Sequence, residues 1–137
     1  VGLTPEALSA LIEPVLSGTA DISISLRKNC PRVWRWLGID YISGERVLPK
    51  KLVIGELGRM SILKPFGLEV FLNSLILKAR QRIKIVPWDT VESPYKAQKY
   101  GFWSGVAGDA RMIWDILRTI GPFRIVRQIY GMLALRV

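Results

Sequence analysis

Histidine is absent from this 137-residue chain, and cysteine occurs once, at Cys30. The first absence excludes a Ser-His-Asp or Cys-His catalytic site and any histidine-built metal site within the chain. The second excludes an internal disulfide. A metal held here would rest on carboxylates, which suits Mg²⁺ or Mn²⁺. Long apolar runs are also missing: none reaches the roughly 18 residues that span a bilayer. No signal peptide is visible, and the chain begins with Val1 rather than Met. That start is expected for a processed chain or a piece of a longer one.

What is present is a composition for one globular domain. Half the residues are hydrophobic, five are tryptophan, and the net charge is +9. A basic balance of this size suits anionic partners: nucleic acid, anionic lipid or a nucleotide phosphate. A solvated basic surface accounts for it equally well.

Residues 4–17, "TPEALSALIEPVLS", predict a helix. Thr4 is placed to cap it, Pro5 suits its first position, and Glu6 complements the positive end of the dipole. Leu8, Leu11, Ile12, Val15 and Leu16 share a face, Pro14 comes late, and Gly18 is a stop signal. Residues 20–27, "ADISISLR", alternate as a strand with Ile22, Ile24 and Leu26 on one side. Helix, glycine turn and strand make half of a crossover unit, so a preceding strand is expected upstream of Val1.

Residues 31–38 read as a short basic, aromatic helix or loop, and "ISGERVL" as a second strand. Residues 55–67, with three glycines and a proline, read as a loop. "GLEVFLNSLILKAR" (67–80) carries a wide apolar stripe and is a helix. "QRIKIVPW" (81–88) is a third strand, with Ile83, Ile85 and Pro87 on one face. Strand, helix and strand again imply a parallel pairing with a right-handed crossover. Residues 89–108 read as a long glycine- and aromatic-rich loop. Helices follow over 109–120 and 123–137, divided by Gly121-Pro122.

From Pro94 onward, seven basic residues stand against two acids, a balance of +5, with Trp103, Trp114, Phe123 and Tyr130 interleaved. Basic, aromatic amphipathic helices lie at membrane interfaces. The same helices can instead pack on a partner. The chain divides into an α/β segment over 1–93, which the resemblance set out below makes the C-terminal half of a catalytic domain, and a basic, aromatic interfacial segment over 94–137.

The stretch "LGIDYISGERVLPKKL" (37–52) sets two acids, an arginine and a glycine where a strand is about to start. An edge strand with Arg46 paired to Glu45 or Asp40 is one explanation. A site for a phosphorylated ligand is the other.

The series "LTPEALSALIEPVLSGTADISISLR", "DYISGERVL", "PFGLEVFLNSLILKARQRIKIVPW", "KAQKYGFWSG" and "RMIWDIL" resembles, in order and spacing, the C-terminal half of family 2 glycosyltransferases. The similarity is greatest to members with a GT-A fold that use nucleotide-sugar donors, polyprenyl-phosphate-type enzymes among them. The resemblance implies a partial GT-A-like, Rossmann-type α/β sheet with flanking helices and an amphipathic helical tail. It implies an enzyme that transfers a sugar from a nucleotide-sugar donor to a lipid-phosphate or hydroxyl acceptor, at the cytoplasmic face of a membrane. Mg²⁺ or Mn²⁺ would be the cofactor, held by an Asp-x-Asp motif that belongs upstream of Val1, so no metal ligand is expected in this chain. The N-terminal donor-binding half would be missing, and this half alone inactive.

The resemblance also assigns residues. Ser43, Gly44 and Arg46 match a Ser-Gly-x-Arg segment beside the donor diphosphate and acceptor. Gly44 would let backbone approach a ligand, Arg46 would offer a planar fork of donors, and Ser43 one more hydrogen bond. Glu45 departs from the pattern. Arg27, at the end of its strand, would reach the same anion. Glu69 would be an acceptor-side carboxylate that orients or deprotonates a hydroxyl, with Asp40 a second candidate. A helix N-terminal acid is the plainer explanation of Glu69. Lys96 and Lys99 would attract a lipid phosphate or the donor diphosphate. The competing functions are a non-catalytic basic module that binds a membrane surface or a partner, and a nucleic-acid binder. The last lacks a reading motif, so nucleic acid is not expected as a partner.

Overall fold

Capping starts the first helix where the sequence places it. In the computed structural model, which describes residues 3–63, 66–91 and 102–137, Thr4 Oγ1 accepts the Ala7 N–H at 3.2 Å. Helix α1 (Pro5–Leu16) ends as Gly18 turns left-handed at φ +76°. Of its apolar residues, Leu11 and Pro14 are buried, whereas Leu8, Ile12 and Leu16 are exposed.

Strand β1 (Ile22–Arg27) follows, then α2 (Arg32–Leu37), which closes on left-handed Gly38. The expected second strand shrinks to β2 (Arg46–Val47). Its first half is drawn into a side-chain turn instead: the Glu45 N–H donates to Ser43 Oγ at 3.3 Å and the Ser43 N–H to Asp40 O at 3.2 Å. The glycine-rich stretch after it is not a plain loop. It holds α3 (Lys50–Val53), a 3₁₀ turn (Ile54–Glu56) and α4 (Leu57–Met60). Arg59 ties this stretch down, pairing with Glu56 at 3.2 Å and lying 5.4 Å over the Phe71 ring.

Helix α5 (Gly67–Lys78) and strand β3 (Ile83–Trp88) stand as expected. Helix α6 (Phe102–Ile120) begins seven residues before the expected start, since Gly105 and Gly108 are tolerated within it. Helix α7 (Pro122–Ala134) stops short of the C-terminus. Residues 135–137 turn onto β3, where the Ile83 N–H donates to Leu135 O and the Val137 N–H to Ile83 O, both at 2.9 Å.

The fold is mixed α/β around a three-stranded sheet in the order β2–β1–β3. β1 and β3 run parallel from Ile22↔Ile83 to Arg27↔Trp88, and β2 is antiparallel to β1. The main core lies on one face, where Ile22, Ile24 and Ile83 meet Val70 and Ile76 of α5, Ile116 of α6, and Ile125 and Met132 of α7. A smaller cluster of Leu11, Val86, Trp88 and Val91 lies under α1. Both sheet faces are therefore covered, which is why Ser23 and Ser25 of the alternating strand are buried rather than solvated. Residues of the 1–93 and 94–137 segments share the main core. Among the described residues, no helix is long and apolar enough to cross a membrane.

Candidate functional site

The buried serines of β1 need partners. Ser23 donates to the Leu11 carbonyl of α1. Ser25 donates to Glu45 Oε2 at 3.0 Å and lies 3.0 Å from Ser43 Oγ. Ser43 reaches the same carboxylate oxygen at 3.2 Å, and Arg27 forms an ion pair with Oε1. One carboxylate thus gathers a guanidinium and two hydroxyls at the carboxyl end of β1.

A cavity of about 180 Å³ opens there, and its walls include Arg27, Asp40, Ser43, Gly44 and Glu45. Open α/β sheets bind ligands beyond the carboxyl ends of their parallel strands. The volume suits a phosphate-sized group better than a whole drug-sized ligand. Asp40 is buried, and its Oδ1 accepts the Ile42 N–H at 3.3 Å. Gly44 is exposed, and a Cβ built on it meets nothing within 4 Å, so internal packing does not require glycine. A second hollow of about 380 Å³ adjoins the first, sharing Arg27, Gly44 and Glu45 and adding Arg46 to apolar walls from α1, Trp88 and Val91.

Arg46 faces inward. Its Nε donates to Ser43 O and its Nη1 to Asn73 Oδ1, both at 2.5 Å, and its Nη2 donates to Tyr41 O at 3.1 Å. Burial pushes its pKa down to about 10, opposed by the negative charges of Glu69 and Asp40. The donor fork expected to meet a ligand phosphate is spent on protein acceptors, and holds residues 41–43 against α5. Glu69, half-buried in the first turn of α5, supports that charge and lines neither cavity. Lys96 and Lys99 lie outside the described residues.

The polar network behind Arg46 is not evident from the sequence motifs. Asn73 Nδ2 donates to Tyr41 O at 3.0 Å, and Tyr41 Oη donates to Gln128 Oε1 at 2.6 Å. Gln128 Nε2 donates to Ser74 Oγ at 2.7 Å and Val70 O at 3.2 Å. Burial raises the Tyr41 phenol above its ordinary value. The available signal is Asn73 itself, a polar residue spaced three from Val70 and three from Ile76 on the core-facing stripe of α5.

No group of three or more metal-ligating acids or cysteines occurs among the described residues, and the Glu45 carboxylate is already engaged. These residues do not build a Mg²⁺ or Mn²⁺ site. No family model, curated protein or solved structure matches the chain.

Proposed function

We propose that this chain is part of a nucleotide-sugar-dependent glycosyltransferase of the family 2 kind, acting on a lipid-phosphate or hydroxyl acceptor at the cytoplasmic face of a membrane. The observation that carries this reading is the meeting of Arg27, from the end of β1, with Asp40, Ser43 and Gly44, from the turn before β2, on one cavity at the carboxyl end of β1.

In the transfer, an acceptor oxygen attacks the anomeric carbon, and the bond to the nucleotide diphosphate breaks with its electron pair leaving on the diphosphate. A phosphate acceptor is already ionised. A hydroxyl acceptor must give up a proton, and Asp40 is a carboxylate at the cavity wall. Glu69, whose negative charge favours the Arg46 guanidinium and which lines neither cavity, serves positioning in this reading. Glu45 occupies the place of an anion: a phosphoryl group that displaces it meets Arg27 and the Ser25 and Ser43 hydroxyls.

A second reading, a non-catalytic basic module, is favoured by the inward commitment of Arg46. The two are separated by calorimetric titration of the native, source-derived polypeptide with UDP and GDP, with and without Mn²⁺, beside an assay of donor turnover. Diphosphate binding that falls about tenfold in Arg27→Gln supports the transferase, at the loss of one charged hydrogen bond. A polypeptide that neither binds nucleotide nor turns over donor would overturn it.

A further inference from the structure

The charged groups of α7 and the end of α5 converge away from the cavity at β1. Lys78, Arg124 and Arg127 line a groove of about 550 Å³ between these helices, over Ser74, Leu77 and Gln128. Among the described residues, no carboxylate lines it. Among the described residues, the ion pairs involve Arg27, Arg59 and Arg82, and none of the three groove cations.

The outer face of α7 adds apolar groups. Phe123, Val126 and Tyr130 are 83%, 54% and 75% exposed, while Ile125, Gln128, Ile129 and Met132 face the core. Spacings of three and four put Phe123, Val126, Arg127 and Tyr130 on one stripe. At the corner between α6 and α7, Trp114 is 64% exposed and shares an apolar hollow with Leu117, Arg118 and Pro122. Arg111 and Arg118 of α6 are exposed as well.

We infer that this α6–α7 corner, with the α5–α7 groove, is a docking surface for an anionic phospholipid bilayer. The groove cations take headgroup phosphates, and the Phe123, Tyr130 and Trp114 rings enter the interface. Charge complementarity selects the partner: a cationic groove without a carboxylate requires an anionic surface. The apolar stripe selects among anionic surfaces. Phe123, Val126 and Trp114 return to an apolar medium at the headgroup and acyl boundary, whereas a nucleic-acid backbone leaves them in water. The inference does not rest on the transferase reading, since docking needs no nucleotide.

The test is co-sedimentation of the chain with vesicles of phosphatidylcholine alone and of phosphatidylcholine with phosphatidylglycerol. Binding is expected to the anionic vesicles and to weaken with salt. Replacing both groove arginines, Arg124→Gln with Arg127→Gln, is expected to lower the partition coefficient about thirty-fold. Phe123→Ser with Tyr130→Ser is expected to lower it at low salt too, where the charges act undiminished. Lys28→Gln with Lys84→Gln removes the same charge from exposed positions on other elements and should leave most binding intact. Circular dichroism on each variant confirms the fold. Equal losses in the Lys28 and Arg124 double variants would overturn the inference, because net charge alone would then explain binding. So would competition by millimolar inorganic phosphate at constant ionic strength, which marks a soluble phosphoester site. Tighter binding to an oligonucleotide, without vesicle binding, would overturn it as well. Intact nucleotide binding with no vesicle binding would sink this inference and leave the transferase reading standing.

Discussion

Arg46 and Arg27 flank the same short stretch of structure, yet one is bound into the protein and the other borders a cavity. Arg46 donates from all three nitrogens to Ser43, Asn73 and Tyr41. Among the described residues, Arg27 has one ionic partner, Glu45, and its buried Nε–H meets no acceptor; its side chain is 25% exposed. The difference separates two jobs that sequence alone assigns together. A guanidinium whose fork is matched by fixed protein acceptors holds a fold. A guanidinium with one carboxylate partner and an Nε–H that meets no acceptor has a donor left to offer an anion.

The sharpest way to break this comparison is to remove each arginine in turn. Arg46→Ala leaves Asn73 Oδ1 and two backbone carbonyls short of donors in a buried setting, and is expected to cost about 3 kcal/mol or more. Arg27→Ala removes a partly solvated ion pair and is expected to cost about 1 kcal/mol or less. Urea unfolding of both variants measures the gap. Equal losses would mean that the two sites are energetically alike and that the division of labour is wrong.

The elements with strong local signals were legible: Thr4 as a cap, the alternation of β1, the apolar stripe of α5 and the basic, aromatic helices from 109 onward, whereas the first turns of α6 read as loop. The parallel pairing of β1 with β3 was implied by their separation by a helix. What was not legible depended on partners far along the chain. Alternation makes Ser23 and Ser25 look solvated, and only the covering of both sheet faces buries them. Arg46 reads as a ligand fork because nothing near it in sequence reveals Asn73, 27 residues on, as its acceptor. Glu45 reads as an intruder in a phosphate site, while its three partners converge only when β1 and the 43–45 turn lie side by side. The motif resemblance groups Ser43, Gly44, Arg46 and Arg27 around one anion, with Asp40 as a separate acid; the cavity at the end of β1 is lined by Arg27, Asp40, Ser43 and Gly44, whereas Arg46 is turned to protein acceptors.

The inward network can also be loosened without removing charge. Tyr41→Phe keeps the ring that packs 5.7 Å from Trp34 but deletes the hydroxyl that donates to Gln128. The buried Gln128 Oε1 then loses that donor, for an expected cost of about 1–2 kcal/mol. A double-mutant cycle with Gln128→Leu should recover part of that loss, because both ends of the pair become apolar. Additive losses would show that the Tyr41–Gln128 bond does not couple α7 to the 41–46 segment.

At the open end, Glu45→Gln sharpens the comparison from the other side. It removes the resident anion while keeping a side chain of similar size, so Arg27 loses its ionic partner. Stability is expected to fall by less than about 1 kcal/mol, since the pair is partly solvated. Affinity for inorganic phosphate or a nucleoside diphosphate is expected to rise severalfold, because no carboxylate competes for Arg27, Ser25 and Ser43. Weaker anion binding would assign Glu45 to ligand recognition rather than competition.

Arg82 extends the series to a solvent-facing guanidinium, and the expected effect is smallest there. It binds both Asp21 oxygens at 3.1 Å and the carbonyls of Gly18 and Thr19 at 3.0 and 3.3 Å, yet its side chain is 49% exposed. These hydrogen bonds hold the Asp21 carboxyl below its ordinary value, the side-chain bonds from Arg82 first and its backbone N–H next. A depressed folded-state pKa means that the unfolded chain binds the proton more readily. The stabilisation is therefore complete above the unfolded value of about 3.8 and fades as pH falls through the lower folded value. Thermal unfolding of the wild type and Asp21→Asn should differ slightly near pH 7 and converge in strong acid. A difference that persists in acid would show that Asp21 acts through neutral hydrogen bonding in the turn before β1. The ranking of the three arginines by burial would then overstate the role of charge at its exposed end.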